Sequence, residues 1–121
     1  MYTDISYLQQ ITKNNQDVIR LTIDKFTVSI PEVNSRLERF LEAKDYDALG
    51  AEAHKLLSTI GILRIKQMDG LVRELETNCK ERQNLAKVPA MVDEVNKLSE
   101  YVMVELEELK QDMGDDKNVV K

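Results

Sequence analysis

The sequence contains little of what cross-linked or turn-rich folds require. Its 121 residues include 4 Gly, 2 Pro, 1 Cys, 1 His and no Trp. So few turn-forming residues favour long helices with short connections and argue against an all-β sandwich. A single Cys excludes an internal disulfide and a zinc site of the CxxC type, and it is typical of a reducing compartment.

Long apolar runs and a clustered basic surface are also missing. No segment approaches the roughly 20 apolar residues of a membrane span, and the amino terminus has no basic segment followed by an apolar stretch. The chain has 17 Lys and Arg against 22 Asp and Glu, a net charge of −5, with the basic residues scattered. We therefore expect a cytoplasmic protein that binds neither membranes nor nucleic acid.

Apolar residues recur every three or four positions along most of the chain, which predicts helices. Pro31 either kinks or restarts the second of them, and Asp45 is placed to cap the third. Asp4 is a possible cap for a short first helix that forms a lid. The pattern gives helices over residues 4–12, 16–41, 45–63, 65–82 and about 89–109.

Four amphipathic helices with short connections predict an all-α fold. The expected architecture is an antiparallel up-and-down four-helix bundle with a short additional N-terminal helix, forming one domain over residues 1–113 and acting as a monomer. Residues 114–121 are predicted to form a disordered tail. An extended coiled coil is disfavoured, because Pro31, Pro89 and polar breaks interrupt any heptad.

The one histidine, His54, is predicted to face solvent. It lies roughly 140° from the centre of the apolar stripe of the third helix. Small residues surround it on this predicted outer face, with Leu57 at the flank: Gly50, Ala51, Ser58 and Gly61. Helix glycines cost about 1 kcal/mol each relative to alanine, and steric access to the imidazole would be a reason for them. The alternative is a tolerated glycine, a helix stop and an ordinary surface histidine.

Glu76 is predicted to lie level with His54. If the third and fourth helices form an antiparallel hairpin that turns near residue 65, residues whose numbers total about 130 share one height. A carboxylate there can bond one imidazole nitrogen, fix the tautomer and leave the other nitrogen as a nucleophile. The alternative is a solvated surface carboxylate, the commonest fate of a Glu.

These residues resemble the signature of histidine-containing phosphotransfer (HPt) domains. The family pattern Ala-His-x-Leu-Lys-Gly is matched by AHKLLS at residues 53–58. The apolar positions of the family's next helix, and the position of Glu76 in it, correspond to this sequence without a gap. The resemblance extends from about Leu8 to Leu109. The resemblance implies the same helical-bundle fold.

Three positions depart from the family pattern. The lysine three residues after the histidine, which helps to neutralise the phosphoryl group, is Leu57 here, and the glycine after it is Ser58. The turn glycine ten residues after the histidine is Arg64. Lys55 is a candidate for supplying part of the missing charge, and Gly61 is a candidate for ending the helix in place of the turn glycine.

The resemblance implies a phosphorelay intermediate. It would accept a phosphoryl group on His54 and exchange it with the aspartate of a response-regulator receiver domain, or take it from a hybrid sensor histidine kinase. Glu76 would orient the ring, and Leu57 with Leu8 or Ile11 of the lid would form an apolar rim for the partner. The chain itself would hold no cofactor and no ATP site, since the receiver supplies the Mg²⁺.

Two other functions remain open. The absence of the lysine at position 57 suggests a degenerate member that binds a receiver or kinase without transferring phosphate. A structural helical adaptor would need a large exposed apolar strip, whereas each helix shows one clear apolar stripe. A metal enzyme is disfavoured, because one His and Cys79, which is expected to be buried, provide no cluster of ligands.

Overall fold

The computed structural model describes residues 2–120, and their side chains as far as residue 113. This part of the chain contains no strand and forms α1 (Ser6–Ile11), α2 (Gln16–Glu42), α3 (Tyr46–Leu63), α4 (Lys66–Glu81) and α5 (Val88–Val120). The predicted all-helical class is confirmed. The predicted disordered tail, residues 114–121, lies outside the residues with described side chains and stays a prediction. None of the helices in residues 2–120 combines the length and apolarity needed to cross a bilayer.

Side-chain caps and left-handed residues set the helix ends. Asn15 caps α2, and Asp45 caps α3 as predicted, its carboxylate accepting a hydrogen bond of 3.1 Å from the amide of Ala48. Arg64 follows α3 and Arg82 follows α4, both in the left-handed conformation with φ of 52°. That conformation costs a non-glycine residue about 1–2 kcal/mol, and a basic side chain at a helix C-terminus offsets part of it.

The prediction of one long helix containing Pro31 is confirmed: α2 continues through the proline to Glu42, so Pro31 does not restart the helix. The last residue of α3 is Leu63, as predicted, but Gly61 lies within the helix and does not end it. Arg64 takes the left-handed turn position instead, and its guanidinium lies 4.6 Å from the ring centroid of Tyr7, a cation–π contact that favours this conformation.

The apolar faces of the helices meet in a core. α3 contacts α2 and α4, α5 contacts α2 and α4, and α1 lies against α3. The predicted stripe of α3 is the part that enters this core, each member being at most 3% exposed: Leu49, Ala53, Leu56, Ile60 and Leu63. Burial of this stripe turns the opposite face of α3 toward solvent.

Polar contacts between helices fix two relative directions. On α3 and α4, Asp47 pairs with Arg82 at 2.7 Å and His54 with Glu76 at 2.8 Å. Residue numbers therefore rise along one helix as they fall along the other, which makes this pair antiparallel. α2 and α5 are antiparallel by the same criterion, through the pairs Asp24–Lys110 and Glu38–Asn96, both at 2.9 Å.

The amino-terminal segment is fastened to α5 and to the end of α3. The carboxylate of Glu105 accepts hydrogen bonds from the amides of Tyr2 (2.7 Å) and Thr3 (2.8 Å). The amide of Asp4 donates to the carbonyl of Leu63 at 2.8 Å. These contacts hold the short helix α1, which begins later than predicted, beside the outer face of α3.

Candidate functional site

His54 lies on the outer face of α3 with 66% of its side chain exposed. Its Nδ1 is 2.8 Å from Oε2 of Glu76 on α4. An ionised carboxylate can only accept, so Nδ1 carries the proton and donates it. In the neutral ring Nε2 then keeps its lone pair, and no hydrogen bond reaches that atom from the described side chains. The site therefore presents one imidazole nitrogen that is oriented from behind and available as a nucleophile.

Glu76 lies between two nitrogen donors. Its side chain is only 12% exposed, and the oxygen that binds His54 also lies 2.6 Å from Nζ of Lys80, one helical turn along α4. The pKa of Glu76 lies below its ordinary value, and the largest cause is the hydrogen bond from Lys80. Partial burial raises this pKa, whereas the hydrogen bond from His54 lowers it further. Glu76 is therefore ionised near neutral pH and accepts from both donors.

Three of the small residues predicted around His54 lie on the exposed side of α3. Ser58 and Gly61 follow the histidine by about one and two helical turns, and Ala51 precedes it; all three are exposed. A Cβ at Gly61 would meet no atom within 4 Å. Only small side chains therefore surround this side of the imidazole, and another protein can approach the ring.

Gly50 does not belong to that accessible surface, and its predicted position on the outer face is wrong. It is buried against α4, where a Cβ would lie 3.2 Å from Cβ of Cys79 and 3.7 Å from the carbonyl oxygen of Glu76. Missing side-chain bulk at Gly50 lets the two helices approach closely. This close approach brings the carboxylate of Glu76 within hydrogen-bonding distance of His54, about one turn farther along α3.

Lys55 and Leu57 lie on the flanks of α3. Nζ of Lys55 is 3.6 Å from Oε1 of the buried Glu52, which also binds Nε of Arg36 on α2 at 3.1 Å. The ammonium group of Lys55 is thus drawn to the α2 side of the helix, away from Glu76 on the α4 side. Leu57 is half-buried and borders a shallow groove that Tyr7 of α1 also lines.

The two lid residues considered for the apolar rim differ in position. Ile11 is 52% exposed at the end of α1, whereas Leu8 is 2% exposed and belongs to the core. Only Ile11 is therefore available to a partner. The shallow groove between α1 and α3 continues past Ser58 and Gly61 to Arg64.

Sequence reasoning missed Lys80. The signal was present, since a lysine four residues after a glutamate has the spacing of an ion pair on one helix face. Such pairs are common on exposed helices, so the spacing alone does not distinguish this lysine. Its proximity to His54 depends on how closely α3 and α4 pack.

A protein-family model matches most of the chain. Residues 22–115 match the family model of the Hpt domain. The matched region contains all of α3 and α4, most of α2 and α5, and therefore His54, Glu76 and Lys80. No curated protein and no solved structure matches the chain. Because the family match covers well over half of the sequence, this chain belongs to the Hpt domain family.

Proposed function

We propose that this chain is a phosphorelay intermediate that carries a phosphoryl group on Nε2 of His54. It would exchange the group with the aspartate of a receiver domain or take it from a hybrid sensor histidine kinase. Membership of the Hpt family supports histidine phosphotransfer in two-component signalling. The observation that carries the residue assignment is the 2.8 Å contact between Glu76 and an exposed imidazole.

The transfer step follows from the orientation of the ring. The Nε2 lone pair attacks the phosphorus of the receiver's aspartyl phosphate in line, and the N–P bond forms as the P–O bond to the aspartate breaks. The electron pair of the broken bond leaves with the aspartate carboxylate. The ring gains positive charge, which the Nδ1–H group shares with Glu76 through their hydrogen bond.

The partner would supply the rest of the machinery. The exposed Ala51, Ser58 and Gly61 leave room for the rim of a receiver active site beside His54. The receiver would bring the Mg²⁺ that neutralises its own carboxylates and the phosphoryl oxygens. The chain then acts as a carrier whose contribution is an oriented nucleophile.

The overall architecture belongs to the same proposal. We take α2 to α5 as an antiparallel up-and-down four-helix bundle, to which α1 is added as a lid. Two observations support this arrangement: each of the four helices contacts two others of the set, and α2 with α5 and α3 with α4 are antiparallel pairs. The domain would span residues 1–113 and act as a cytoplasmic monomer.

A degenerate carrier is the second candidate. Leu57 stands where the resemblance places the family lysine, and this favours a bundle that binds a receiver or kinase without transfer. The adaptor alternative gains one observation, because the outer face of α2 exposes more apolar surface than its single stripe predicts, with Leu21 63% and Val28 62% exposed.

Phosphotransfer to a His54→Gln variant separates these candidates. A panel of receiver domains is phosphorylated with acetyl phosphate in Mg²⁺ and mixed with wild-type or variant protein. We expect acid-labile, base-stable phosphate on the wild type and none on the variant. Label on the variant would contradict the assignment of His54. Receiver binding without label on the wild type would show the degenerate carrier.

A further inference from the structure

Lys80 is close to the imidazole across the α3–α4 groove. Its Nζ and Nδ1 of His54 lie 2.6 and 2.8 Å from the same oxygen of Glu76. The two nitrogens are therefore no farther apart than roughly 5.5 Å, because both are within hydrogen-bonding distance of one atom. The side chain of Lys80 is 60% exposed, so its ammonium group is free to move at the protein surface.

A phosphoryl group on His54 creates a charge problem at this site. It brings about two negative charges onto a ring that already contacts the carboxylate of Glu76. Like charges at this separation repel, and a cation that contacts the phosphoryl oxygens removes most of the repulsion. Leu57, at the position of the family lysine, supplies no cation.

The other basic residues near the site make their ionic contacts with carboxylates other than Glu76. Lys55 lies 3.6 Å from Glu52 on the α2 side of α3, and Arg73 pairs with Asp69 at 3.1 Å on α4. Arg82 binds Asp47 at 2.7 Å at the far end of the hairpin. Lys80 is thus the basic residue whose present contact already places it beside the reacting ring.

We propose that Lys80 is the cation that binds the phosphoryl group on His54, in place of the lysine absent at position 57. This inference rests on the proposed function. When Nε2 is phosphorylated, Nζ moves from Glu76 Oε2 to a phosphoryl oxygen, a displacement that rotation of the flexible lysine stem allows. Glu76 keeps its bond to Nδ1–H. The lysine thereby neutralises the glutamate before transfer and the phosphoryl group after it.

The test uses phosphoramidate, a small donor to imidazole that requires no receiver. Nε2 forms the N–P bond, and ammonia leaves with the electron pair of the donor's P–N bond. We expect Lys80→Gln to slow labelling of His54, followed by phosphorus NMR, about five- to tenfold, and Lys80→Arg to retain most of the rate. The matched control is Lys25→Gln, which removes an exposed lysine from the outer face of α2, where Leu21 and Val28 also lie, and should change the rate less than about twofold.

A rescue variant tests the replacement directly. Adding Leu57→Lys to Lys80→Gln restores the family lysine and should return the labelling rate to within about twofold of the wild type. Nitrogen NMR of the imidazole should show the Nδ1–H tautomer unchanged in Lys80→Gln, because Glu76 still accepts that proton.

Three results would overturn the inference. These are a wild-type rate in Lys80→Gln, failure of Leu57→Lys to restore the rate, and loss of the Nδ1–H tautomer in Lys80→Gln, which would mean that the lysine acts only by ordering Glu76. Failure of the proposed function is recognised separately: the wild type itself then acquires no label that His54→Gln abolishes, and the inference falls with it.

Discussion

Gly50 and Cys79 pack so closely that a Cβ on the glycine would lie 3.2 Å from Cβ of the cysteine. Cβ of Cys79 is attached directly to the backbone of α4, so it moves only if the helix moves. The glycine thus sets the separation of α3 and α4 at a level about one turn from His54. The spacing of the imidazole and its carboxylate partner depends on a residue that contacts neither side-chain group.

Alanine at the two glycines of α3 should have opposite effects. Gly61→Ala should raise the free energy of unfolding by about 0.5–1 kcal/mol, because the site is open and alanine favours the helix. Gly50→Ala should lower it by about 1 kcal/mol, since an overpacking cost of about 2 kcal/mol outweighs the same helix gain. Urea unfolding of the two variants measures both, and equal stabilisation would contradict the close packing described for Gly50.

Glu76→Gln should impair His54 without unfolding the protein. The amide retains the shape of the carboxylate but no longer shares the positive charge that the ring gains during transfer. We expect labelling by phosphoramidate to slow about tenfold and the population of the Nδ1–H tautomer to fall. Glu74→Gln, an exposed glutamate on the same helix, is the control. A wild-type rate with an unchanged tautomer would remove Glu76 from the mechanism.

Attachment of the amino-terminal segment should depend on pH through Glu105. Burial raises the pKa of Glu105, but hydrogen bonds from the Thr3 side chain and from the amides of Tyr2 and Thr3 lower it more, to below the ordinary 4.5. At a pH above the ordinary pKa, the ionised carboxylate therefore contributes its full stabilisation to the folded state. That contribution is lost as the pH falls through the lowered pKa.

A Glu105→Gln variant isolates this contribution. It should be about 1–2 kcal/mol less stable than the wild type near neutral pH, with the difference shrinking at an acidic pH below that lowered pKa. Urea unfolding at both pH values gives the comparison, and Glu108→Gln, on the exposed face of α5, is the matched variant. A Glu105→Gln deficit that is the same at both pH values would show that the carboxylate charge is not responsible.

The apolar rim beside the site should be needed for partner binding. Aspartate at Leu57 or at Ile11 should weaken the affinity for a receiver domain about tenfold, because an interface would have to bury the new charge. Val104→Asp places the same charge at an exposed apolar position on α5, outside the groove beside His54, and should leave the affinity unchanged. Titration calorimetry against the receiver that shows the tightest binding would measure all three. Equal losses for the three variants would mean that the rim is not the docking surface.

Patterns within one helix predicted much of this molecule. The apolar stripe of α3 and the outward position of His54 follow from periodicity, and the level of Glu76 follows from the rise of two antiparallel helices. The cap at Asp45 follows from its side-chain chemistry. These features depend on the geometry of one helix or on a short connection between two consecutive helices, so the sequence was sufficient to predict them.

Features that depend on a neighbouring helix were not predictable in the same way. The angular position of Gly50 around α3 predicted that it would be exposed, because periodicity within α3 contains no information about where α4 packs. Lys80 was missed because its spacing from Glu76 is visible in the sequence of α4, whereas its proximity to His54 depends on the packing of α3 against α4. Arg64 was not expected in a left-handed turn, where glycine is favoured, since the stacking on Tyr7 that accompanies it comes from a distant segment.

The connection between α3 and α4 consists of residues 64 and 65 alone. A connection this short keeps the start of α4 beside the end of α3, so the level of Glu76 depends on the number of helical residues between it and the turn. Inserting one residue into α4 between the turn and Glu76 would displace the glutamate by about 1.5 Å along the helix and by about 100° around it. Glu76 would then turn away from His54 while every side chain of the site remained present in the sequence. The distance of Glu76 from the turn is thus as much a requirement of the site as the carboxylate itself.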